Sequence, residues 1–187
     1  HTVEVKEDKA GVPSARRPSG VKLPADAKPA PLKSIPTSSS SPADAPVRER
    51  KKATLKALEI GYRHIDTADV YGNHKQVGQA IKSSGVDRKD IFLTTKVWYT
   101  DLREEDLKKA ALRFLKELQT DYIDLLLIHW PNRNIPLEET LKAMDQLKAD
   151  GIIRNIGVSN FTINHLKDCL KSGVEVVNNQ VEIHPTF

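Results

Sequence analysis

Apolar residues recur every three or four positions at Leu107, Ala111, Phe114, Leu115 and Leu118, which predicts an amphipathic helix over Glu104 to Leu118. Two more stripes of this kind follow. One runs through Leu137, Leu141, Met144 and Leu147 to a stop at Gly151; the other runs through Ile163, Leu166 and Leu170 to a stop at Gly173. Upstream, Lys51 to Ile60 carries Ala53, Leu55, Ala57 and Leu58 ahead of Gly61, and a helix from about Lys75 to Ser83 turns Val77, Ala80 and Ile81 inward. Between these helices lie shorter apolar runs: Tyr62 to Asp66, "DIFLTTKVW", "YIDLLLIHW", "IRNIGVSN" and "VEVVNNQVEI". Such continuous apolar character suits strands covered on both faces. Five strands alternate with helices at a repeat of about thirty residues, the size of a βαβ crossover. That order predicts an α/β fold with a parallel sheet and covering helices, either doubly wound or a (β/α) barrel. No G-x-G-x-x-G follows any strand, so the dinucleotide fingerprint of the doubly wound class is missing.

Composition divides the 187 residues unevenly. Residues 1–46 hold eight of the eleven prolines, the run Ser38 to Ser41, and no Phe, Trp or Tyr. They read as a disordered tail, and 47–187 as the folded unit. The net charge of +4 suggests a polyanionic partner until it is located. Residues 1–56 carry twelve Lys/Arg against six Asp/Glu, and the remainder seventeen against nineteen. The basicity therefore belongs to the tail and the helix after it, which argues against nucleic-acid binding. Cys169 is the only cysteine, so no intramolecular disulfide forms, as expected for a reducing, cytoplasmic setting. No apolar run reaches membrane-spanning length, and no His/Cys/Asp/Glu cluster has metal-ligand spacing.

The polar residues fall in a pattern of their own. The first strand ends at Asp66, the second at Lys96, the third at His129, the fourth at Ser159 and Asn160, and the fifth near Gln180. In a parallel barrel all strand C-termini meet on one face, where active sites of this fold are built. Asp66 would hold Lys96 charged, and a Lys ammonium beside Tyr71 would lower the phenol's pKa. His129 could donate to a substrate oxygen, while Trp98 and Trp130, at the strand mouths, could wall an apolar pocket. A tyrosine that protonates a carbonyl is a general acid, and the hydride must then come from a cofactor. Each residue also has a plainer reading. Asp66 and Lys96 could be a structural ion pair, Tyr71 a loop residue, His129 a core histidine, and Trp98 and Trp130 packing. Ser159 and Asn160 could simply cap the next helix.

Taken together, these segments resemble the aldo-keto reductase family, NADPH-dependent barrel enzymes that reduce aldehydes and ketones. "GYRHIDTADVYGN" is similar to the family's first signature, and "IRNIGVSNF", with Met144 ten residues before Arg154, to its second. "TTKVW", "LLIHWP" and "NQVEIHP" agree in order and spacing, so the resemblance covers about residues 50 to 187. It implies a partial (β/α)8 TIM barrel. It implies Tyr71 as proton donor, with Asp66, Lys96 and His129 as its catalytic partners. It further implies Ser159, Asn160 and Gln180 as holders of the nicotinamide carboxamide, Trp98 and Trp130 as pocket residues, and NADPH as cofactor, with NADH as the alternative. The substrate would be a small carbonyl compound, with no nucleic acid or membrane as partner.

Three departures stand out. His74 replaces a glutamate, with an expected modest stability cost, because a carboxylate suits a helix N-terminus. Asn178 occupies a position that is usually apolar and needs a partner if buried. The sequence has no recognisable counterpart of the family's first, seventh and eighth strands, and none of its pyrophosphate- and 2′-phosphate-binding loops. The expectation is therefore a truncated reductase, or alternatively an inactive fragment that serves as a binding or scaffold module.

Overall fold

The structure, a computed structural model, describes residues 47–182; the tail and the last five residues lie outside the described residues. Five helices and five strands alternate: α1 (Val47–Glu59), β1 (His64–Asp66), α2 (His74–Ser83), β2 (Phe92–Val97), α3 (Glu104–Leu118), β3 (Leu125–Ile128), α4 (Leu137–Ala149), β4 (Ile156–Ser159), α5 (Ile163–Lys171) and β5 (Asn178–Gln180). The strands form one parallel sheet in chain order, β1-β2-β3-β4-β5.

Side-chain alternation divides each strand between two faces. The outer face presents Ile65, Leu93, Val97, Leu126, Ile128, Ile156 and Val158, which share one core with Val77, Ile81, Leu107, Phe114, Leu118, Leu141, Met144 and Leu147 of the helices. Helix α3 shows how the sequence builds this layer. Glu104, Glu105 and Asp106 sit in its first turn, where they favour the positive end of the helix dipole. Leu107, Ala110, Ala111, Phe114 and Leu118 form its buried stripe, and Gln119 ends it in a left-handed conformation at φ 54°. Helix α2 comes very close to α3 at Gly78, where an added Cβ would lie 2.5 Å from the carbonyl oxygen of Leu118.

The inner face presents His64, Phe92, Thr94, Leu125, Leu127 and Gly157 below, and the charged and amide residues above. The sheet is strongly curled. β1 and β5 are four strand steps apart, about 19 Å in a flat sheet. Yet Gln180 Nε2 on β5 donates to Asp66 Oδ2 on β1 at 2.8 Å. The expected partial TIM barrel is thus observed as a five-stranded, helix-covered arc. His64 of β1 faces this interior. Its Nε2 meets Thr94 Oγ1 at 2.9 Å, and its ring stands edge-on to Phe92. Asn178 is exposed on the edge strand and so pays no burial penalty.

Candidate active site

The C-terminal ends of all five strands bring the chemistry-bearing residues together. Lys96, the last inward residue of β2, is only 2% exposed. A buried ammonium is stable only when paired and hydrogen-bonded. Its Nζ donates to Asp66 Oδ1, a short contact, and to the carbonyl of Thr67 at 3.1 Å. Asp66 therefore bridges Lys96 and Gln180 with its two oxygens.

Tyr71 ends a three-residue 3-10 turn, Asp69–Tyr71, between β1 and α2. Gly72 follows at φ 58°, a left-handed conformation that glycine takes without steric cost. Lys96 Nζ lies 5.4 Å from the Tyr71 ring centre, and the His129 ring stands edge-on to it at 5.9 Å. The lowered phenol pKa expected from the lysine does not occur. Burial raises the Tyr71 pKa and the charge of Asp66 raises it further. The ammonium is already committed to Asp66 and sits over the ring, so its pull on the phenol oxygen is small. At neutral pH Tyr71 is a phenol that keeps its proton.

His129 follows β3 and is buried. Burial, and then the positive charge of Lys96, push its pKa below the ordinary value, while Asp66 opposes them. The imidazole is therefore neutral. Its buried Nδ1 has no hydrogen-bond partner among the described residues. With the proton on Nε2 that position holds a lone pair rather than an N–H, and Nε2 is then the donor. Trp98 stands edge-on to His129 at 5.1 Å, on the wall of the mouth. Trp130, the residue after His129, is 47% exposed.

Ser159, Asn160 and Gln180 also converge. Ser159 Oγ donates to the Gln180 carbonyl at 3.0 Å, and the Asn160 N–H donates to the same carbonyl at 2.9 Å. Asn160 Nδ2 reaches the His129 carbonyl at 3.0 Å. Asn160 adopts φ 61°, a conformation that asparagine tolerates better than most residues. Neither Ser159 nor Asn160 caps α5. Thr162 is the N-cap, and its N–H donates to His165 Nδ1 at 3.3 Å. Among the described residues no group of three His, Cys, Asp or Glu is placed to hold a metal, and no helix is long and apolar enough to cross a membrane.

The sequence reading missed the outer support of the Tyr71 turn. Arg113 on α3 grips Asp69 with Nη1 and Nη2 of its guanidinium, at 2.7 and 3.0 Å. Asp69 lies two residues before Tyr71, a hint in itself, but nothing in the sequence marked a partner 44 residues away. His74 was expected to weaken the start of α2. It is buried, with Nε2 2.8 Å from Thr95 Oγ1 and Nδ1 3.4 Å from the Glu117 carboxylate on α3.

The profile of the Aldo/keto reductase family matches residues 38–186. Methylglyoxal reductase DkgA of Escherichia coli (strain K12) is 47% identical over 135 residues, covering 71% of this chain and 48% of that protein. Glyoxal reductase of Bacillus subtilis (strain 168) is 45% identical over 138 residues, covering 73% of this chain and 50% of that protein. Among solved structures, an aldo/keto reductase from Brucella melitensis is 50% identical with a TM-score of 0.72, over 75% of this chain and 54% of the other. An aldo-keto reductase of Bombyx mori in complex with NADP is 37% identical with a TM-score of 0.70, over 75% of this chain and 50% of the other. The chain spans about half the length of the curated relatives it matches. With its signature residues assembled at one end of a parallel sheet, the chain belongs to the aldo/keto reductase family.

Proposed function

We propose that this site reduces a small aldehyde or ketone to an alcohol, with Tyr71 as general acid and NADPH as the hydride source. The single observation that carries the reading is the convergence of Tyr71, Lys96, Asp66 and His129 from three strand ends and one turn. The amide and hydroxyl groups of Ser159, Asn160 and Gln180 gather beside them, and a carboxamide needs such donors and acceptors. These three residues would hold the nicotinamide. The bound cofactor would supply the hydride to the carbonyl carbon.

The protein's own residues do the rest. Nε2–H of the neutral His129 orients the carbonyl oxygen, and the edge of Trp98 bounds the space beside it. The raised pKa of Tyr71 keeps its proton in place until charge develops on that oxygen. The phenol O–H bond then breaks as the alcohol O–H forms. The Lys96 ammonium, held over the ring by Asp66 and the Thr67 carbonyl, is the positive charge beside the phenolate left behind, and the Asp66 charge it pairs with limits its pull on that oxygen. The relatives named for methylglyoxal and glyoxal reduction support small, reactive carbonyl compounds as the substrate class.

The test is turnover of methylglyoxal with NADPH by the 187-residue chain and its Tyr71→Phe variant. Loss of a general acid lowers the rate by about 10²- to 10⁴-fold. A folded variant that keeps full activity would remove Tyr71 from this role. A folded parent chain that binds NADPH without turnover would favour the binding-module reading instead.

A further inference from the structure

The 3-10 turn that carries Tyr71 is secured from the outside of the sheet by groups that do not face the mouth. Asp69 opens the turn. Its carbonyl accepts the Gly72 N–H at 3.0 Å, and the Tyr71 N–H donates to the Ala68 carbonyl at 3.1 Å. The backbone around Tyr71 therefore moves as one piece with Asp69. The Asp69 side chain is only 16% exposed, and both its oxygens are taken by the fork of Arg113. A bidentate guanidinium–carboxylate pair fixes orientation as well as distance, which a lysine ammonium does not.

Arg113 is itself held. Its guanidinium lies 4.9 Å from the Phe114 ring centre, and Nη1 is 3.9 Å from Glu117 Oε2. Glu117 reaches His74 at 3.4 Å, and His74 reaches Thr95, the residue before Lys96. One polar chain thus runs from β2 through α2 and α3 back to the Tyr71 turn. We propose that Arg113 is a positioning residue, which sets through Asp69 the placement of the Tyr71 phenol against Lys96 and His129. Its catalytic importance rests on the reading of Tyr71 as proton donor; its structural effect on Tyr71 does not.

The chain has four tyrosines, so fluorotyrosine labelling resolves each ring by fluorine NMR, with Tyr71 assigned from Tyr71→Phe. In Arg113→Gln the Tyr71 resonance should move toward the position of free fluorotyrosine, while Tyr62, Tyr99 and Tyr122 stay in place. Asp69→Asn should give the same shift, and the double variant no more than either alone, because the two residues act as one clamp. In turnover, kcat should fall about tenfold with KM unchanged, the pattern of lost positioning. A Tyr71 resonance left unmoved in folded Arg113→Gln, or shifts that add in the double variant, would overturn the proposal. Activity that survives Tyr71→Phe would sink the proton-donor reading while leaving the fluorine result standing.

Discussion

His74 and His129 are both held below the ordinary histidine pKa of 6.5, chiefly by burial, although Glu117 opposes this at His74 and Lys96 reinforces it at His129. The unfolded chain takes up protons at these histidines near 6.5, where the native chain does not. Stability is therefore full above 6.5 and is lost as pH falls below it. Urea midpoints measured on either side of that value should show the loss in the parent chain and a smaller one in His74→Gln; equal losses in both would clear His74 of any part in it. The Asp66–Lys96 pair was legible in the sequence, because two opposite charges at adjacent strand ends have few alternatives. The direction of the Tyr71 pKa was not, because it depends on how fully Lys96 is spent on Asp66 and on how far the ring is buried. The clamp on Asp69 was illegible for a different reason. Arg113 lies on the polar side of α3, where a sequence pattern reads any charge as solvated.

Helix periodicity located α3 to the residue, since its apolar stripe and its acidic first turn agree. Strand limits were less legible, because a strand ends where its partner ends. Tyr62 reads as strand, but its N–H goes to the Ala57 carbonyl and closes α1, so β1 begins at His64. Val174 to Val177 has good strand composition, yet β4 begins only at Ile156, and β5 is limited to Asn178–Gln180. Contacts between helices were equally hidden. Gly78 carries no mark of its own in the helical pattern, yet it lies against the backbone of Leu118. Gly78→Ala improves helix propensity by up to about 1 kcal/mol. Pushing α2 off α3 costs about 1–3 kcal/mol, so we expect a net loss in urea denaturation; a gain would mean that the two helices separate freely.

Across the whole arc the two tryptophans differ: Trp98 stands edge-on to His129 at the strand mouths, and Trp130 is largely exposed. NADPH that binds at Ser159, Asn160 and Gln180 should quench Trp98 fluorescence. Saturable quenching should therefore survive Trp130→Phe and vanish in Trp98→Phe; the reverse result would place the cofactor near the turn after β3. The sheet has a further property. Its strand order is its chain order, so each strand pairs with the one made just before it. Loops of about thirty residues close at low entropic cost, and during synthesis each βα unit finds a waiting edge as it leaves the ribosome. The bond between Gln180 and Asp66 is the exception, since it joins positions 114 residues apart. It can form only after all five strands are laid down. Birth order thus leaves the hydrogen bond that draws β1 and β5 together as the last of these inter-strand contacts to form.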